Sequence, residues 1–290
     1  MPADGLPLTP ELHDEIEWHL GALRVAQGAG TPSEYAFANL YLFRHAHAYR
    51  YVPGQYPRIL GTTYDGARHV LPLFDPRHAS DEILREVLAG QDCLYPVTTA
   101  VLAEMGPSRF AWEDRQDDDD YVYSADNFRH YRGELLGKKK NLMRQLLSAH
   151  AMEVRPLSDA TLADAGAVQG AWMAAKDKRP GEADDGACRE ALARHRQFGL
   201  DGLVYYADGV AVGFLIAQRL GPGLAVMRFA KGCDTHKGIY QYMFHHYCVG
   251  EADLEWLNFE QDLGLSNFRQ SKRSYQPTTM LRKLRVRLRA

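Results

Sequence analysis

The stretch LVYYADGVAVGFLIAQRLGPGLAVMRFAK, residues 203–231, decides the fold. Leu203 to Ala207, Val210 to Arg219 and Leu224 to Lys231 are rich in aliphatic, β-branched and aromatic residues, as strands are. Asp208-Gly209 and Gly221-Pro222-Gly223 supply the turns, so three antiparallel strands joined by hairpins are predicted. Working outward, Gly238 to Cys248 reads as a helix, Glu255 to Phe259 as a strand and Leu265 to Arg273 as a helix. Upstream, helices over Ala160 to Ala175 and Arg189 to Phe198 flank a polar loop from Lys176 to Gly186. That succession, closed by a terminal strand, describes an α+β domain.

The first half repeats the mixed pattern less distinctly, without a detectable sequence repeat. A helix is expected from Pro10 to Gln27, with Leu12, Ile16, Leu20 and Leu23 at three- and four-residue spacing. Ser33 to Phe43 reads as a short aromatic-rich helix entering a strand. Tyr49 to Val52, Ile59 to Tyr64 and His69 to Leu73 read as strands, and Asp81 to Leu88 as a helix. The acidic run Asp117 to Asp120 is expected to be a solvated loop. Leu135 to Ala149 forms an amphipathic helix, with Leu135, Leu142, Leu146 and Ala149 on one face and Lys140 and Arg144 on the other. Lys138 and Lys139 extend this to a basic cluster. Two α+β domains, residues 1–150 and 151–290, follow.

Composition narrows the class. Hydrophobic residues make up 46% of the 290 residues and charged ones 24%, enough apolar content to build real cores. A pI near 6.5 excludes a generally basic nucleic-acid coat, so any polyanion must dock on a patch. Cys93, Cys188, Cys233 and Cys248 lack C-x-x-C spacing and read as reduced thiols. Met1 to Gly5 shows no secretory signal, and the longest apolar run, Val210 to Ala217, is too short to span a bilayer. A soluble, cytoplasmic protein is expected. His45, His47 and the pair His245-His246 lack a third ligand at metal spacing, so no metal is expected. Serine-hydrolase, P-loop and dinucleotide signatures are absent.

The charge is polarised. Leu263 to Ala290 carries eight Lys or Arg and no Asp or Glu, in a chain of net charge −3. It follows directly on Asn258-Phe259-Glu260-Gln261-Asp262. Carboxylates just before a basic helix suit a site that deprotonates an acceptor beside a polyanionic donor. Glu260 and Asp262 are therefore the candidate bases, and Tyr240 and Tyr275 candidate donors to a leaving group. Arg269, Lys272 and Arg273, three and four apart on one helix, are candidate phosphate ligands. Lys231, Lys237, Lys140 and Arg144 extend that set. The alternative is structural: Glu260 and Asp262 cap the following helix and pair with Arg269, and each tyrosine is a core residue with a satisfied hydroxyl.

Several collinear pieces resemble the C-terminal domain family of bacterial phosphatidylglycerol lysyltransferases and their soluble relatives. They are Ser33 to Phe43, Asp120 to Tyr123, Gly137 to Asn141, Lys231, Lys237 to Gln241, Asn258 to Gly264 and Phe268 to Pro277. The resemblance implies two tandem GNAT-like domains and acyl transfer, with aminoacyl-tRNA as donor and a small molecule, peptide or lipid headgroup as acceptor amine or hydroxyl. Two departures stand out. Ala230 precedes Lys231 where relatives often carry an acidic side chain. The acetyl-CoA signature of GNAT enzymes is missing, since Lys237-Gly238-Ile239-Tyr240 offers one glycine and a bulky tyrosine in its place. No cofactor is expected on the leading reading. An acyl-CoA-dependent N-acyltransferase is the alternative, and a non-catalytic binding module keeping the fold is the third reading. Oligomeric state is left open.

Overall fold

Both hairpins anticipated around residues 203–231 are present in the computed structural model, which describes residues 5–289. Met1 to Asp4, on which the absence of a signal segment partly rests, and Ala290 lie outside the described residues. Along the chain the elements run β1 (Leu6–Pro7), α1 (His13–Gln27), α2 (Phe37–Leu42), β2 (Arg50–Val52), β3 (Arg58–Thr62), β4 (Arg68–Pro72), α3 (Asp81–Val87), β5 (Cys93–Thr98), α4 (Thr99–Met105) and β6 (Phe110–Asp114). They continue with β7 (Asp120–Ser124), α5 (Ala125–His130), α6 (Glu134–Ala149), β8 (Met152–Pro156), α7 (Leu162–Ala175), α8 (Asp185–Arg194), β9 (Asp201–Ala207), β10 (Val210–Gly221) and β11 (Leu224–Gly232). The last are α9 (Ile239–Gly250), β12 (Trp256–Asn258), α10 (Ser266–Arg273), β13 (Thr279–Leu281) and β14 (Lys283–Leu288).

Contacts divide the chain into two units. One comprises the residues up to Tyr121 with Gln261–Arg269 and the segment from Met280; the other comprises Val122–Glu260 and Gln270–Thr279. The expected cut at residue 150 differs from this division, because strand pairing is not local: β14 inserts between β5 and β6.

In the first unit the sheet order is β1-β2-β3-β4-β5-β14-β6. β1 to β4 form an antiparallel meander, α3 carries the chain to β5, parallel to β4, and β14 is antiparallel to both its neighbours. Val70, Leu84, Leu94, Phe110 and Val286 fill its core. The second sheet has the order β13-β7-β12-β11-β10-β9-β8. There β8 to β11 form the meander, and α9 carries the chain across to β12, parallel to β11. A parallel neighbour needs such a crossover. Meander, helix and parallel strand thus occur once in each unit, a duplication the sequence does not display.

Three local expectations are corrected. The buried face of α6 is Leu136, Met143 and Leu146, while Leu135 is 55% exposed, so the apolar stripe is rotated from the expected one. Phe37 to Leu42 is buried on every side and leads into turns rather than a strand. Asp118, Asp119 and Asp120 are buried, not solvated: cations from β14 meet Asp118 and Asp120, and Asp119 accepts the Lys283 backbone amide. The basic tail is correspondingly internal in part: Lys283 and Arg285 are both buried.

Candidate functional site

Glu260 and Asp262 sit two residues apart yet have different surroundings. β11 and β12 pair only over Leu224–Val226 and Trp256–Asn258, and β11 runs on without that partner. Beyond the last pair, Arg228, its side chain fully buried, bonds Glu260 and is held from behind by Gln218 Oε1 at 2.9 and 3.1 Å. The Glu260 amide donates to Asn258 Oδ1 at 2.7 Å, and φ at Glu260 is +58°. This turn presents the carboxylate, which retains 18% exposure, at the end of β12.

Asp262, in the first unit, is fully buried. It accepts from the Tyr121 hydroxyl (2.6 Å), Arg269 Nε (2.8 Å), Arg269 Nη2 (2.9 Å) and the Gly264 amide (2.9 Å). Burial alone would raise its pKa, but the Arg269 and Tyr121 hydrogen bonds outweigh it and hold the carboxyl below its usual range. Arg269 also bonds Asp117. The ion pair anticipated as the structural alternative is therefore present for Asp262, whereas Glu260 pairs with Arg228.

Lys231, near the end of β11, is buried beside the N-cap of α8. Its Nζ lies 2.8 Å from both Asp184 oxygens and 3.7 Å from the Trp172 ring centroid. Trp172 Nε1 and the Gly232 amide both donate to the Tyr240 hydroxyl at 3.1 Å. Burial raises the Tyr240 pKa, so the phenol keeps its proton. Tyr275, in the same unit, is buried, accepts from Gln241 Nε2 at 2.9 Å and lies under Lys139 Nζ, 4.1 Å from the ring centroid. Lys231 and Tyr240 are thus brought together through Trp172.

The remaining candidate cations fall into two groups. Lys272 donates to the carbonyls of Phe259 (2.6 Å) and Glu260 (3.1 Å), and Lys140 to that of His130 (3.2 Å). Arg273, Lys237 and Arg144 are exposed. Lys237 sits by a cavity at the start of α9, lined also by Leu142, Asp234, His236, Gly238, Ile239 and Tyr240. The N-cap, Gly238, has φ +98°, and a Cβ there would lie 2.2 Å from the Leu142 carbonyl oxygen of α6. Backbone of α6 therefore comes close enough to position 238 that only glycine fits there.

Sequence reading missed a cluster in the first unit. Lys283, fully buried, places Nζ 2.6 Å from Glu34 Oε1, 2.7 Å from Asp120 Oδ1 and 3.1 Å from Gln261 Oε1. Ser33 donates to Asp120 from its amide (2.9 Å) and its hydroxyl (3.0 Å), and the Tyr95 hydroxyl reaches Glu34 at 3.3 Å. Burial opposes the Lys283 charge, but Asp120 and Glu34 outweigh it and raise its pKa. Burial raises the Glu34 carboxyl, only partly offset by Lys283, and lifts Asp119 to about 6. The available signal was the pairing of an acidic run with a basic tail in one sequence.

An antiparallel meander with a helical crossover to a parallel strand, present twice, defines the tandem GNAT-like class of acyltransferase-type folds. The chain belongs to the phosphatidylglycerol lysyltransferase C-terminal family, whose model matches residues 26–286. It is similar in structure to a conserved protein of unknown function from Bacteroides thetaiotaomicron (19% identity, 98% of each chain, TM-score 0.81). It is also similar to the L-PGS from Bacillus licheniformis (15% identity, 98% of this chain and 93% of that one, TM-score 0.61). A third likeness is to a tandem GNAT protein from the clavulanic acid biosynthesis pathway (13% identity, 98% and 97%, TM-score 0.52). At these identities the likenesses establish the fold alone. No curated protein matches the sequence. Family and fold together support an acyltransferase-type function. Among the described residues no helix is long and apolar enough to cross a membrane.

Proposed function

We propose that the chain transfers an aminoacyl group from aminoacyl-tRNA to an amine or hydroxyl acceptor. The observation that carries this reading is the crowding of the start of α9 by α6 and by Tyr240. An acyl-CoA donor needs a cradle of free backbone amides for its pyrophosphate. Here the Leu142 carbonyl of α6 crowds Gly238, the Gly232 amide is taken by Tyr240, and the Asp234 carboxylate lines the adjoining cavity. Each feature disfavours a pyrophosphate. An aminoacyl ester is already activated, so transfer needs only positioning and proton removal. The lysyl transfer in the family's name supports the same donor chemistry.

Glu260 is the base on this reading. It pairs with Arg228, and its carboxylate is partly exposed at the end of β12, where an acceptor N–H or O–H can reach it. Asp262, with four donors already on its carboxylate, acts as a structural partner of Arg269. The test is transfer of labelled amino acid from a charged tRNA pool to amine and hydroxyl acceptors, phosphatidylglycerol included, set against acyl transfer from a panel of acyl-CoAs. Acceptor-dependent loss of label from tRNA is expected. Turnover of an acyl-CoA with none of charged tRNA would reverse the assignment.

A further inference from the structure

We propose that Lys139 and Arg273, in the second unit, hold a backbone phosphate of the single-stranded RNA end that carries the aminoacyl group. The state of Lys139 is the first reason. It is half-buried, and its Nζ makes one hydrogen bond, to Ser274 Oγ at 2.8 Å, and lies 4.1 Å from the centroid of the Tyr275 ring. Both partners are neutral. Burial lowers the Lys139 pKa with no carboxylate to offset it, whereas buried Lys231 has Asp184 and buried Lys283 has Glu34 and Asp120. An ammonium partly withdrawn from water without a counter-ion is costly, and a phosphate oxygen supplies one through a charge-assisted bond. The position is also set in advance. Ser274 Oγ donates to the Ser271 carbonyl at 2.6 Å and so meets Lys139 as an acceptor, while Gln241 holds the Tyr275 hydroxyl.

The charge around Lys139 gives the second reason. Lys138 beside it and Arg273 beside Ser274 are exposed, and among the described residues neither makes an ion pair. Gln270 to Thr279 contains no Asp or Glu, and the one acidic residue of α6, Glu134, pairs with none of these cations. Asp126, on α5, is taken by His130 and Arg132. The other exposed residues here, Gln270, Ser271 and Gln276, form hydrogen bonds, as contacts to a nucleic-acid strand require. A lipid surface needs inserted apolar side chains, and the first two turns of α6 expose only Leu135. The site also adjoins the proposed base. Lys272, next to Arg273, bonds the carbonyls of Phe259 and Glu260, and the Tyr275 ring stands 6.4 Å from that of Phe259. In an aminoacyl-tRNA the ester sits on the last ribose, one sugar away from a phosphodiester. A phosphate on Lys139 and Arg273 therefore anchors the donor next to the segment that presents Glu260.

This deepens the aminoacyl-transfer reading, and rests on it only for the identity of the RNA. The probe is a fluorescein-labelled single-stranded RNA tetranucleotide, ACCA, titrated by anisotropy against the full chain. The controls are the same strand with an uncharged methylphosphonate at its last linkage, and vesicles of phosphatidylglycerol. Saturable binding of the RNA is expected, weakened about tenfold by the methylphosphonate, as loss of a charged hydrogen bond implies. Lys139→Met keeps the aliphatic stem over Tyr275, and Arg273→Gln alters an exposed side chain. Each should weaken RNA binding about tenfold and abolish the discrimination between the two strands, which a merely structural role would not do. Should Lys139→Met fail to fold, Arg273→Gln still decides. No saturable RNA binding, unchanged affinity in the folded variants, or variants that lose vesicle binding and keep RNA binding would overturn the site. RNA binding that depends on both residues, without transfer from charged tRNA, leaves the site standing and removes the proposed reaction. Transfer with an unchanged KM for charged tRNA in both variants does the reverse.

Discussion

The hydroxyl of Tyr121 donates to the Asp262 carboxylate at 2.6 Å, and both side chains are wholly buried. With Arg269 and the Gly264 amide on the same carboxylate, no lone pair is left for a substrate proton. Glu260, two residues earlier, is partly exposed. Glu260→Gln should therefore slow aminoacyl transfer by about 10²–10⁴-fold with little change in stability. Asp262→Asn should instead lower the unfolding free energy by roughly 3 kcal/mol, as breaking a buried ion pair does. Parallel rate and urea-denaturation measurements separate the two, and equal rate losses would refute the division of roles.

His69 makes the first unit acid-sensitive. Its folded pKa, about 3, lies below the ordinary histidine value, so the native state binds fewer protons than the unfolded chain between roughly pH 6.5 and 3. The stability it contributes is present above that window and is lost as pH falls through it, by at most about 1.4 kcal/mol per pH unit. His69→Phe should flatten this slope in denaturant melts at pH 4 to 7. An unchanged slope would mean that the imidazole is charged in the folded protein.

Only some cations are available to a polyanion. Arg269 is committed to Asp262 and Asp117, and Lys272 to two backbone carbonyls. If tRNA binds, its salt dependence should fall on substituting the exposed Arg273, Lys237 and Arg144, by about 0.9 in the log–log slope for each phosphate that is no longer neutralised. Arg269→Gln should lower the melting temperature and leave the slope nearly untouched. Filter binding across a salt series distinguishes these outcomes.

Gly238→Ala tests the close approach of α6 to the start of α9. The substitution combines a left-handed φ with a clash against the α6 backbone, so a loss of about 1–3 kcal/mol is expected in urea unfolding. Acyl-CoA should not stabilise the parent protein in the same assay. Substantial protection by acyl-CoA would show that the helix start opens after all.

The meander after Leu203 was legible because its turns are written in glycine and proline, and α1 because Ile16, Leu20 and Leu23 keep a strict spacing. The rest was hidden by distance along the chain. Four consecutive aspartates read as a wet loop until Lys283 and Arg285 are known to lie against them. Glu260 looked equivalent to Asp262 because nothing local points to Arg228 as its partner. Glu34 sits in a recognisable segment, yet its chemistry depends on residues near the other end of the sequence.

The place of β14 between β5 and β6 also has a consequence in time. During synthesis, six strands of the first sheet leave the ribosome without the one that joins them, and the whole second unit is made before it arrives. Until then β5 and β6 have open edges, and Glu34 and Asp120 have no ammonium to neutralise them. The N-terminal part of the chain must therefore wait, unfinished and prone to wrong strand pairing, in the interval when chaperones act. Removing the last few residues of the sequence should be felt first at its beginning.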